Sequence, residues 1–312
     1  MQSLFQRPLS EHSVPDGVKL YYAPVDPYLI YGCEAIVNVD KGLAVLEDVQ
    51  LSFLRRLTSL PKNSIKAPLH TETGIHPLAH RRLQISLGQA KDAMTQPPTH
   101  YAKRAFLDSI ELYRIHKTGW VADIEKALNS LPIDPVLFDI TNVESEKAIQ
   151  DLIDRVRVSC ARHLYQGLET SRLPLLHGYD RGLIPDDFDS VLKLRKYFKT
   201  VTAPAHRKAL TRLLFANHTL AVEQFRRVKK ADGRKFETNE RPCRSCGDPT
   251  ETEVHALFVC DGSDRVDGFK ETVDSTRCKV DPIISIHFIL EHDDLAPVFA
   301  KFLYDVFEIF TG

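Results

Sequence analysis

Several features that would assign a function directly are missing from this sequence. No apolar run approaches the roughly 20 residues that a bilayer-spanning helix needs. The opening residues, MQSLFQRPLSEHSV, lack a cationic stretch followed by an apolar one, so we expect no secretory leader. A glycine-rich phosphate loop, internal repeats and low-complexity tracts are also missing. These absences favour a globular protein of the nucleus or cytoplasm that is neither secreted nor bound to a membrane.

Cysteine is sparse, and half of it lies in one short segment. Of the six cysteines, Cys33, Cys160 and Cys278 stand alone, and we expect them to be lone core or surface thiols. The other three lie in CRSCGDPTETEVHALFVC (243–260), where one histidine completes the spacing C-x2-C-x8-H-x4-C. The residues of this pattern are Cys243, Cys246, His255 and Cys260.

This pattern predicts a structural zinc site. Three thiolates and one imidazole fill the four tetrahedral positions of Zn²⁺, so no position remains for a reactive water. Gly247 can take the positive φ that the Cys-x2-Cys turn requires, and Thr252 can cap a short helix that ends near Cys260. Reduced buried thiols or a disulfide are the alternatives, although a disulfide would leave the third cysteine unpaired.

The net charge of −1 conceals a strong polarity along the chain. Between Arg195 and Arg241 there are thirteen Lys/Arg and four Asp/Glu, a balance of +9. From Asp248 to Gly312 there are five Lys/Arg and fourteen Asp/Glu, a balance of −9. The basic stretch is compatible with contacts to nucleic acid, whose phosphates Lys and Arg neutralise. A solvated helix face is the alternative interpretation.

Hydrophobic periodicity predicts a mainly α fold. In one predicted helix, Leu43, Leu46, Val49, Phe53, Leu54 and Leu57 recur at intervals of three and four. Residues Asp40, Pro77, Thr99 and Asn142 are placed to begin helices, and Gly119 precedes a shorter one. The apolar stretch 282–291 is ambiguous. The predicted helices are 42–57, 78–94, 101–116, a segment ending near 131, 143–167, 205–230, 252–259, 264–275 and a C-terminal helix with an aromatic stripe over 299–310.

Five stretches, taken in order, resemble the C-terminal part of fungal non-LTR (LINE-like) retrotransposon reverse transcriptases. YGCE (31–34) resembles the YG-x-E step that opens the thumb after the polymerase palm. LEDVQLSFLRRLTSLP (46–61) is similar to the helix that follows there, and TETGIHPLAHRRL (71–83) and PAHRKALTRLLFANHTLAVEQFR (204–226) continue the order. CRSCG-x7-HALFVC matches the zinc motif of that region, so the similarity spans about 28–262.

The resemblance implies a thumb-like helical bundle, then a long basic helix and a small CCHC zinc element. The corresponding segments are a thumb-like region 1–131, a helical connector 132–203, the basic helix with the zinc element 204–262, and an acidic helical region 263–312. Polymerases of this kind need a carboxylate pair on a hairpin to hold two metal ions. The adjacent pairs in this sequence, Asp186-Asp187 and Asp293-Asp294, lie in a loop and near a helix end. We therefore expect no polymerase activity from this chain.

What remains are the parts that grip template and primer in the family. Clustered cations neutralise phosphates without reading sequence, so non-specific RNA, DNA or RNA–DNA hybrid is the expected partner. A zinc-stabilised protein-interaction module, in which the acidic C-terminal region binds a protein partner, is the alternative. The candidate nucleic-acid contacts are Arg55, Arg56, Arg81, Arg82, Arg207, Lys208, Arg212, Arg226, Arg227, Lys229, Lys230, Arg234 and Lys235.

Overall fold

The computed structural model describes residues 8–37, 41–247, 250–260 and 282–309. Within these ranges the regular structure is helical, which confirms the mainly α prediction, and the extended backbone forms only isolated bridges rather than strands. None of the helices in the described ranges is both long enough and apolar enough to cross a lipid bilayer.

The described residues of the first half of the chain form eight α-helices. A π-helical segment, Tyr21–Val25, joins the first two of them into one continuous helical stretch. The eight helices are α1 (Val14–Leu20), α2 (Asp26–Ile30), α3 (Lys41–Leu57), α4 (Lys66–Thr73), α5 (Leu78–Thr95), α6 (Tyr101–Arg114), α7 (Trp120–Asn129) and α8 (Glu146–Glu169).

Shorter helices follow, and the candidate metal segment ends in a second π-helical segment, His255–Val259. The segment 282–291, ambiguous in sequence, is helical. The helices of this half are α9 (Phe188–Val191), α10 (Tyr197–Thr200), α11 (Pro204–Leu214), α12 (Ala221–Arg227), α13 (Pro282–Leu290) and α14 (Leu295–Ile309).

The largest hydrophobic core joins the two ends of the described chain. It contains Leu54 and Leu57 of α3, Leu210 of α11, and Phe299 and Leu303 of α14. The predicted aromatic stripe of the last helix is thus core, as far as its described residues extend. Members of this core come from all four predicted segments, so it does not coincide with any one of them.

A second core lies within the first half of the chain. It is formed by α5, α6, α7 and α8, with Leu87, Ile110, Ile124 and Leu152 fully or almost fully buried. Helices α5 and α8 are long and contact each other extensively, so they are the central helix pair of this core. Lone Cys160 of α8 is buried in a small third cluster, as expected of a core thiol.

A buried ionic network connects α4 to the segments that precede α11. The carboxylate of Glu72 is fully buried, and Arg181 donates to both of its oxygens, at 2.7 and 3.0 Å. The Tyr197 hydroxyl donates to the same carboxylate at 2.6 Å. Burial alone would raise the pKa of Glu72, but the charges of Arg181 and Arg195 hold it at about 2. The network therefore contains an ionised carboxylate whose hydrogen bonds tie distant segments together.

The beginnings of α5 and α6 differ slightly from the predicted ones. Pro77 is the N-cap of α5 instead of its first helical residue. His100, not Thr99, caps α6, because the Nδ1 atom of His100 accepts a hydrogen bond from the backbone N–H of Ala102. Gly119 precedes α7 as predicted.

The beginning of α8 differs by three residues. Asn142 was expected to cap this helix, but it belongs to a 3₁₀ turn, Ile140–Val143, in which Asp139 and Asn142 form a capping box. The cap of α8 is Ser145, whose hydroxyl accepts the N–H of Ala148. Asn142 therefore caps the preceding 3₁₀ turn together with Asp139, and it does not cap α8.

The prediction of one continuous basic helix over 205–230 is wrong. Two helices, α11 and α12, replace it because the chain turns at Ala216, which has a left-handed φ of 44°. The N–H of Asn217 then donates to the carbonyl of Arg212 at 2.8 Å, which closes the end of α11. Alanine rarely adopts a left-handed conformation, and glycine or proline is the usual sequence signal for a helix end. The break at Ala216 was therefore not predicted.

Some sequence-based predictions lie outside the described residues. They are the predicted cap Asp40, the helix 264–275, Cys278 and Phe310.

Candidate metal centre and basic groove

The four predicted ligands come together at one point. Their ligand atoms, three Sγ and one imidazole nitrogen, all lie within 4.8 Å of one another. The Sγ atoms of Cys243 and Cys260 are 3.7 Å apart, and Cys246 Sγ is 3.3 Å from His255 Nε2. Tetrahedral zinc with bonds of about 2.3 Å to sulfur and 2.0–2.1 Å to nitrogen places such pairs roughly 3.8 and 3.6 Å apart. The cluster is therefore close enough to hold a metal ion and is compatible with zinc.

The same distances argue against a disulfide. A sulfur–sulfur bond is about 2.05 Å long, much shorter than the separation of Cys243 and Cys260. These two thiols are buried, whereas Cys246 is exposed and His255 is partly exposed. Cys33 and Cys160 are buried elsewhere as free thiols, so neither belongs to the cluster.

A wide helical turn brings His255 and Cys260 to the same side. Residues five apart lie about 140° from each other on an α-helix, which would separate these two ligands. The N–H of Cys260 instead donates to the carbonyl of His255 at 2.8 Å, so the turn is wound as a π-helix. The hydroxyl of Thr252 accepts the N–H of His255, which confirms the predicted cap. Helical structure ends at Cys260, also as predicted.

The Cys-x2-Cys turn is held from both sides. Gly247 has a φ of 81°, the positive value expected from sequence, and its N–H donates to the Cys243 carbonyl at 2.9 Å. On the other side, Glu251 accepts the backbone N–H of Arg244 at 2.9 Å and its guanidinium at 2.8 Å. The same buried carboxylate accepts the N–H of Ala221, the first residue of α12, at 2.7 Å. Glu251 thus joins the metal turn to α12.

Glu251 was not identified from the sequence. Its segment, Asp248–Glu253, contains three acidic residues in a polar context, and nothing in that pattern distinguishes the buried one. Glu253, two residues later, accepts a hydrogen bond from buried His218 at 3.1 Å. The other ring nitrogen of His218, Nδ1, is buried without a hydrogen-bond partner among the described residues. His206 packs against Tyr304.

The candidate phosphate-binding residues fall into different environments. Arg82 and Arg207 are 4% and 3% exposed, and both donate to backbone carbonyls, such as those of Leu29 and His12. These two guanidinium groups hold loops in place and cannot reach a phosphate in this fold, so the sequence-based assignment is wrong for them. Arg81 forms an ion pair with buried Asp26, in which its Nε and Nη2 atoms both donate to the carboxylate.

The stretch that begins at the end of α12 is basic, and several of its cations are paired with carboxylates. Arg226 lies 2.9 Å from Glu223, and Arg234 lies 2.8 Å from Asp232. Lys230 pairs with Glu240. Lys229 and Lys235 are exposed and lie opposite each other in an isolated antiparallel bridge, while nothing is described of the Arg227 side chain.

Four other candidates converge on one concavity, which we call the basic groove. Arg55 and Arg56 of α3 line it from one side, and Lys208 and Arg212 of α11 from the other. It has a volume of about 750 Å³, and Glu11 is the carboxylate among its lining residues. Lys62 lies with Arg55 and Arg56 in an adjoining recess, which also contains Asp48.

Within the described part of the chain, the basic groove leaves most of its charge unneutralised. Arg55 donates one hydrogen bond, to the carbonyl of Ser64 at 3.3 Å, and burial lowers its pKa. No salt bridge with a described carboxylate involves Arg56, Lys208 or Arg212. A concave surface of this kind concentrates positive potential.

An apolar depression continues from the basic groove along α3, and we call it the apolar furrow. Val45 and Val49 are exposed by 65% and 49%, and Phe53 and Val25 complete a space of about 520 Å³ that also reaches Arg56. Val49 was predicted in the buried stripe of α3, and the structure corrects this. Val45 and Val49 are apolar residues on the exposed side of α3, and this could have indicated an apolar surface. The prediction missed it because Val49 also fits the helical spacing of the buried residues.

Neither adjacent carboxylate pair forms a polymerase-type site. Asp186 pairs with Arg162 at 2.7 Å, and Asp187 caps α9 by accepting the N–H groups of Asp189 and Ser190. The second pair, 293–294, is exposed between α13 and α14. Among described residues, the Cys/His cluster is the group that could hold a metal ion.

Comparisons with known proteins find no matching family model, no matching curated protein and no matching solved structure.

Proposed function

We propose that this protein binds nucleic acid without sequence preference through the basic groove, and that Cys243, Cys246, His255 and Cys260 hold one structural zinc ion. The carrying observation is the convergence of Arg55, Arg56, Lys208 and Arg212, from helices far apart in sequence, on one concavity. Like charges repel, so gathering them costs free energy that an anionic ligand would recover. Duplex DNA, RNA and hybrids all present the required phosphates.

The zinc ion would be structural and not catalytic. Four protein ligands close its coordination shell, so it offers no position for water or substrate. Its contribution is to fix the turn that Arg244 and Glu251 connect to the start of α12. Metal binding supplies folding free energy to the segment that it closes.

We further infer that the chain corresponds to the C-terminal region of a non-LTR retrotransposon reverse transcriptase and has no polymerase activity of its own. The order of its motifs supports this origin. The ion pair of Asp186 and the capping role of Asp187 support the absence of polymerase activity. An in-frame segment encoding Tyr-x-Asp-Asp just upstream in the genomic DNA would support the inference. Primer extension with magnesium or manganese should stay at background, and incorporation that disappears in Asp186→Ala would contradict it.

Salt-dependent binding tests the basic groove. The variant Arg56→Gln/Lys208→Gln/Arg212→Gln removes three charges from the groove while each side chain keeps its polar character. We expect weaker binding to every oligonucleotide sequence and a flatter dependence on salt, by roughly 0.9 in the log–log slope per lost contact on duplex DNA. Fluorescence anisotropy at several salt concentrations measures both effects.

A matched control removes the same charge elsewhere. Arg104→Gln/Lys117→Gln/Lys147→Gln neutralises three exposed cations, on α6, on the connection between α6 and α7, and on α8. Neutralising Arg226, Arg227, Lys229 and Lys230 tests this stretch separately. We expect a smaller loss there because two of these charges, Arg226 and Lys230, already have carboxylate partners. Equal binding by wild type and the groove variant at every salt concentration would overturn the proposal.

A protein-docking function is the second candidate, favoured by the last two helices. Ile284 and Phe288 are one turn apart on α13 and are 60% and 39% exposed, and Val298 of α14 is 47% exposed. Exposed Asp293 and Asp294 lie between them in the chain. Apolar side chains beside acidic ones fit a partner with a basic, partly apolar surface. A stable partner lost in Phe288→Asp, with no affinity for nucleic acid, would favour this function over the first.

A further inference from the structure

Two tyrosines that follow Val25 of the apolar furrow in the sequence are almost fully exposed. Tyr28 is 82% exposed and Tyr31 is 87% exposed. Among the described residues, neither side chain takes part in an aromatic contact, a cation–π contact or a hydrogen bond. The two rings are three residues apart, so they expose aromatic surface to which a ligand could bind.

One residue of the furrow belongs to the same helical stretch as Tyr28. Val25 lines the furrow together with Phe53 and Arg56. The first π-helical segment, Tyr21–Val25, continues without interruption into α2. Val25 and Tyr28 are three residues apart and are therefore neighbours on the surface of this helical stretch. Tyr31 follows three residues later, where the helix ends. We call Tyr28 and Tyr31 the tyrosine ridge.

We propose that the tyrosine ridge stacks the bases of single-stranded RNA or DNA whose phosphates lie in the basic groove. The inference rests on the proposed function and deepens it, because it names the form of nucleic acid. Arg56 lines both the groove and the furrow, and Val25 of the furrow precedes Tyr28 by three residues in the same helical stretch. A strand that runs from the groove past the furrow to Tyr28 would meet cations first and then exposed rings.

Single strands fit this arrangement better than duplexes do. In a duplex the faces of the bases are stacked on one another and cannot reach an external ring, whereas the bases of a single strand can be splayed out. Stacking on tyrosine tolerates every base, because each base has a π face. The ridge therefore adds affinity for unpaired strands without adding sequence preference, in agreement with a groove that contacts phosphates.

The test compares ring removal with ring retention. The variant Tyr28→Ala/Tyr31→Ala removes the stacking surface, and Tyr28→Phe/Tyr31→Phe keeps it without the hydroxyls. As a matched control, Tyr101→Ala/Tyr179→Ala removes two tyrosines of 79% and 80% exposure that line neither the groove nor the furrow. Binding of a 20-nucleotide single strand and of a duplex of the same length is measured by anisotropy across a salt series.

We expect wild type to prefer the single strand and the alanine variant to bind it about 5- to 150-fold more weakly, the range for the loss of one stacked base. The phenylalanine variant and the distant control should bind like wild type. The salt slope of the alanine variant should be unchanged, because the phosphate contacts of Arg56 and Lys208 remain.

Each contrary outcome separates this inference from the function on which it rests. Wild-type binding by the alanine variant, while the groove variant loses affinity, overturns the ridge and leaves the groove standing. Equal losses for duplex and single strand also overturn stacking. No binding of either nucleic acid by wild type removes both proposals together.

Discussion

At the scale of single residues, Glu251 has the most consequential position near the metal centre. Its fully buried carboxylate accepts hydrogen bonds from Ala221 and Arg244, which lie on different elements. Glu251→Gln replaces one acceptor oxygen with a donor and leaves the Arg244 guanidinium without its counter-charge. We expect a loss of about 2–4 kcal/mol in the free energy of unfolding. We also expect zinc affinity to fall roughly tenfold, as is common when an outer partner of a metal turn is lost.

Urea unfolding and competition with a zinc chelator measure the two effects of Glu251→Gln. Glu240→Gln is the matched control, because Glu240 is exposed and its partner Lys230 is on the surface. This control should change the free energy of unfolding by less than about 1 kcal/mol. If both variants unfold alike, Glu251 does not stabilise the joint between the metal turn and α12.

The candidate metal ligands could be predicted from the sequence, but the buried charged residues that hold the surrounding segments could not. Cys243, Cys246, His255 and Cys260 could be predicted because ligand chemistry allows few residue types and few spacings. Glu251, Arg82 and Arg207 could not, because whether a charged side chain is buried depends on which distant segments meet around it. The same difficulty applies to the basic groove, whose two walls come from separate helices.

At the scale of elements, a row of neutral histidines lies where α4, α5 and α8 meet. Burial lowers the pKa of His70 to about 4 and that of His80 to about 3. The rings of His80 and His163 stack with centroids 5.9 Å apart, and both nitrogens of His80 lack a described hydrogen-bond partner. The seam between these helices therefore accepts histidine only in its uncharged form.

This seam predicts a loss of stability in mild acid. As pH falls below about 6.5, the unfolded chain takes up protons on these histidines while the folded chain does not, so the free energy of unfolding decreases. For His80 alone the loss between pH 7.5 and pH 5 is about 2 kcal/mol, and it continues toward the folded pKa of about 3. His80→Leu should remove this contribution and so flatten the pH dependence.

Urea unfolding at pH 7.5 and pH 5 measures the difference for wild type and His80→Leu. His116→Asn is a suitable control, because His116 is exposed and asparagine tolerates its positive φ of 57°. The control should lose as much stability as wild type does. An equal loss in His80→Leu would show that its imidazole is not held neutral by burial.

Helix type was predictable here, and helix ends were less so. The periodicities of α3, α5 and α8 extend over many residues, and each helix appears within a few residues of its predicted range. The ends depended on single local contacts, such as the left-handed Ala216 that divides α11 from α12. Such contacts are formed by tertiary packing and leave no mark in the pattern of apolar residues.

At the scale of the whole molecule, the two cores should respond differently to loss of metal. Cys243, Cys260 and Leu257 belong to the same core as Phe299 and Leu303 of α14, whereas α6 and α7 belong to the other core. The purified protein should contain about one zinc ion per chain. Chelation should speed amide exchange in 215–260 and in α14, and leave α6 and α7 as protected as before.

Elemental analysis and hydrogen exchange followed by mass spectrometry test this expectation. Cys243→Ser should reproduce the effect of the chelator, while Cys33→Ser, which changes a buried thiol outside the cluster, should keep its zinc. Protein purified without chelator that contains no stoichiometric metal would refute the zinc site. Uniform exchange across both cores after chelation would show that they unfold as a single unit.

The wide turn between His255 and Cys260 has a mechanical consequence. An isolated peptide of this sequence would favour the ordinary α-helical winding, since i→i+5 turns are rare without an external constraint. In that winding the imidazole and the last thiol would point in directions about 140° apart. If the four ligands bind one metal ion, their bonds would hold the chain in the wider winding. Loss of the ion would then let the five residues return to α-helical winding and turn the Cys260 side chain away from the other ligands.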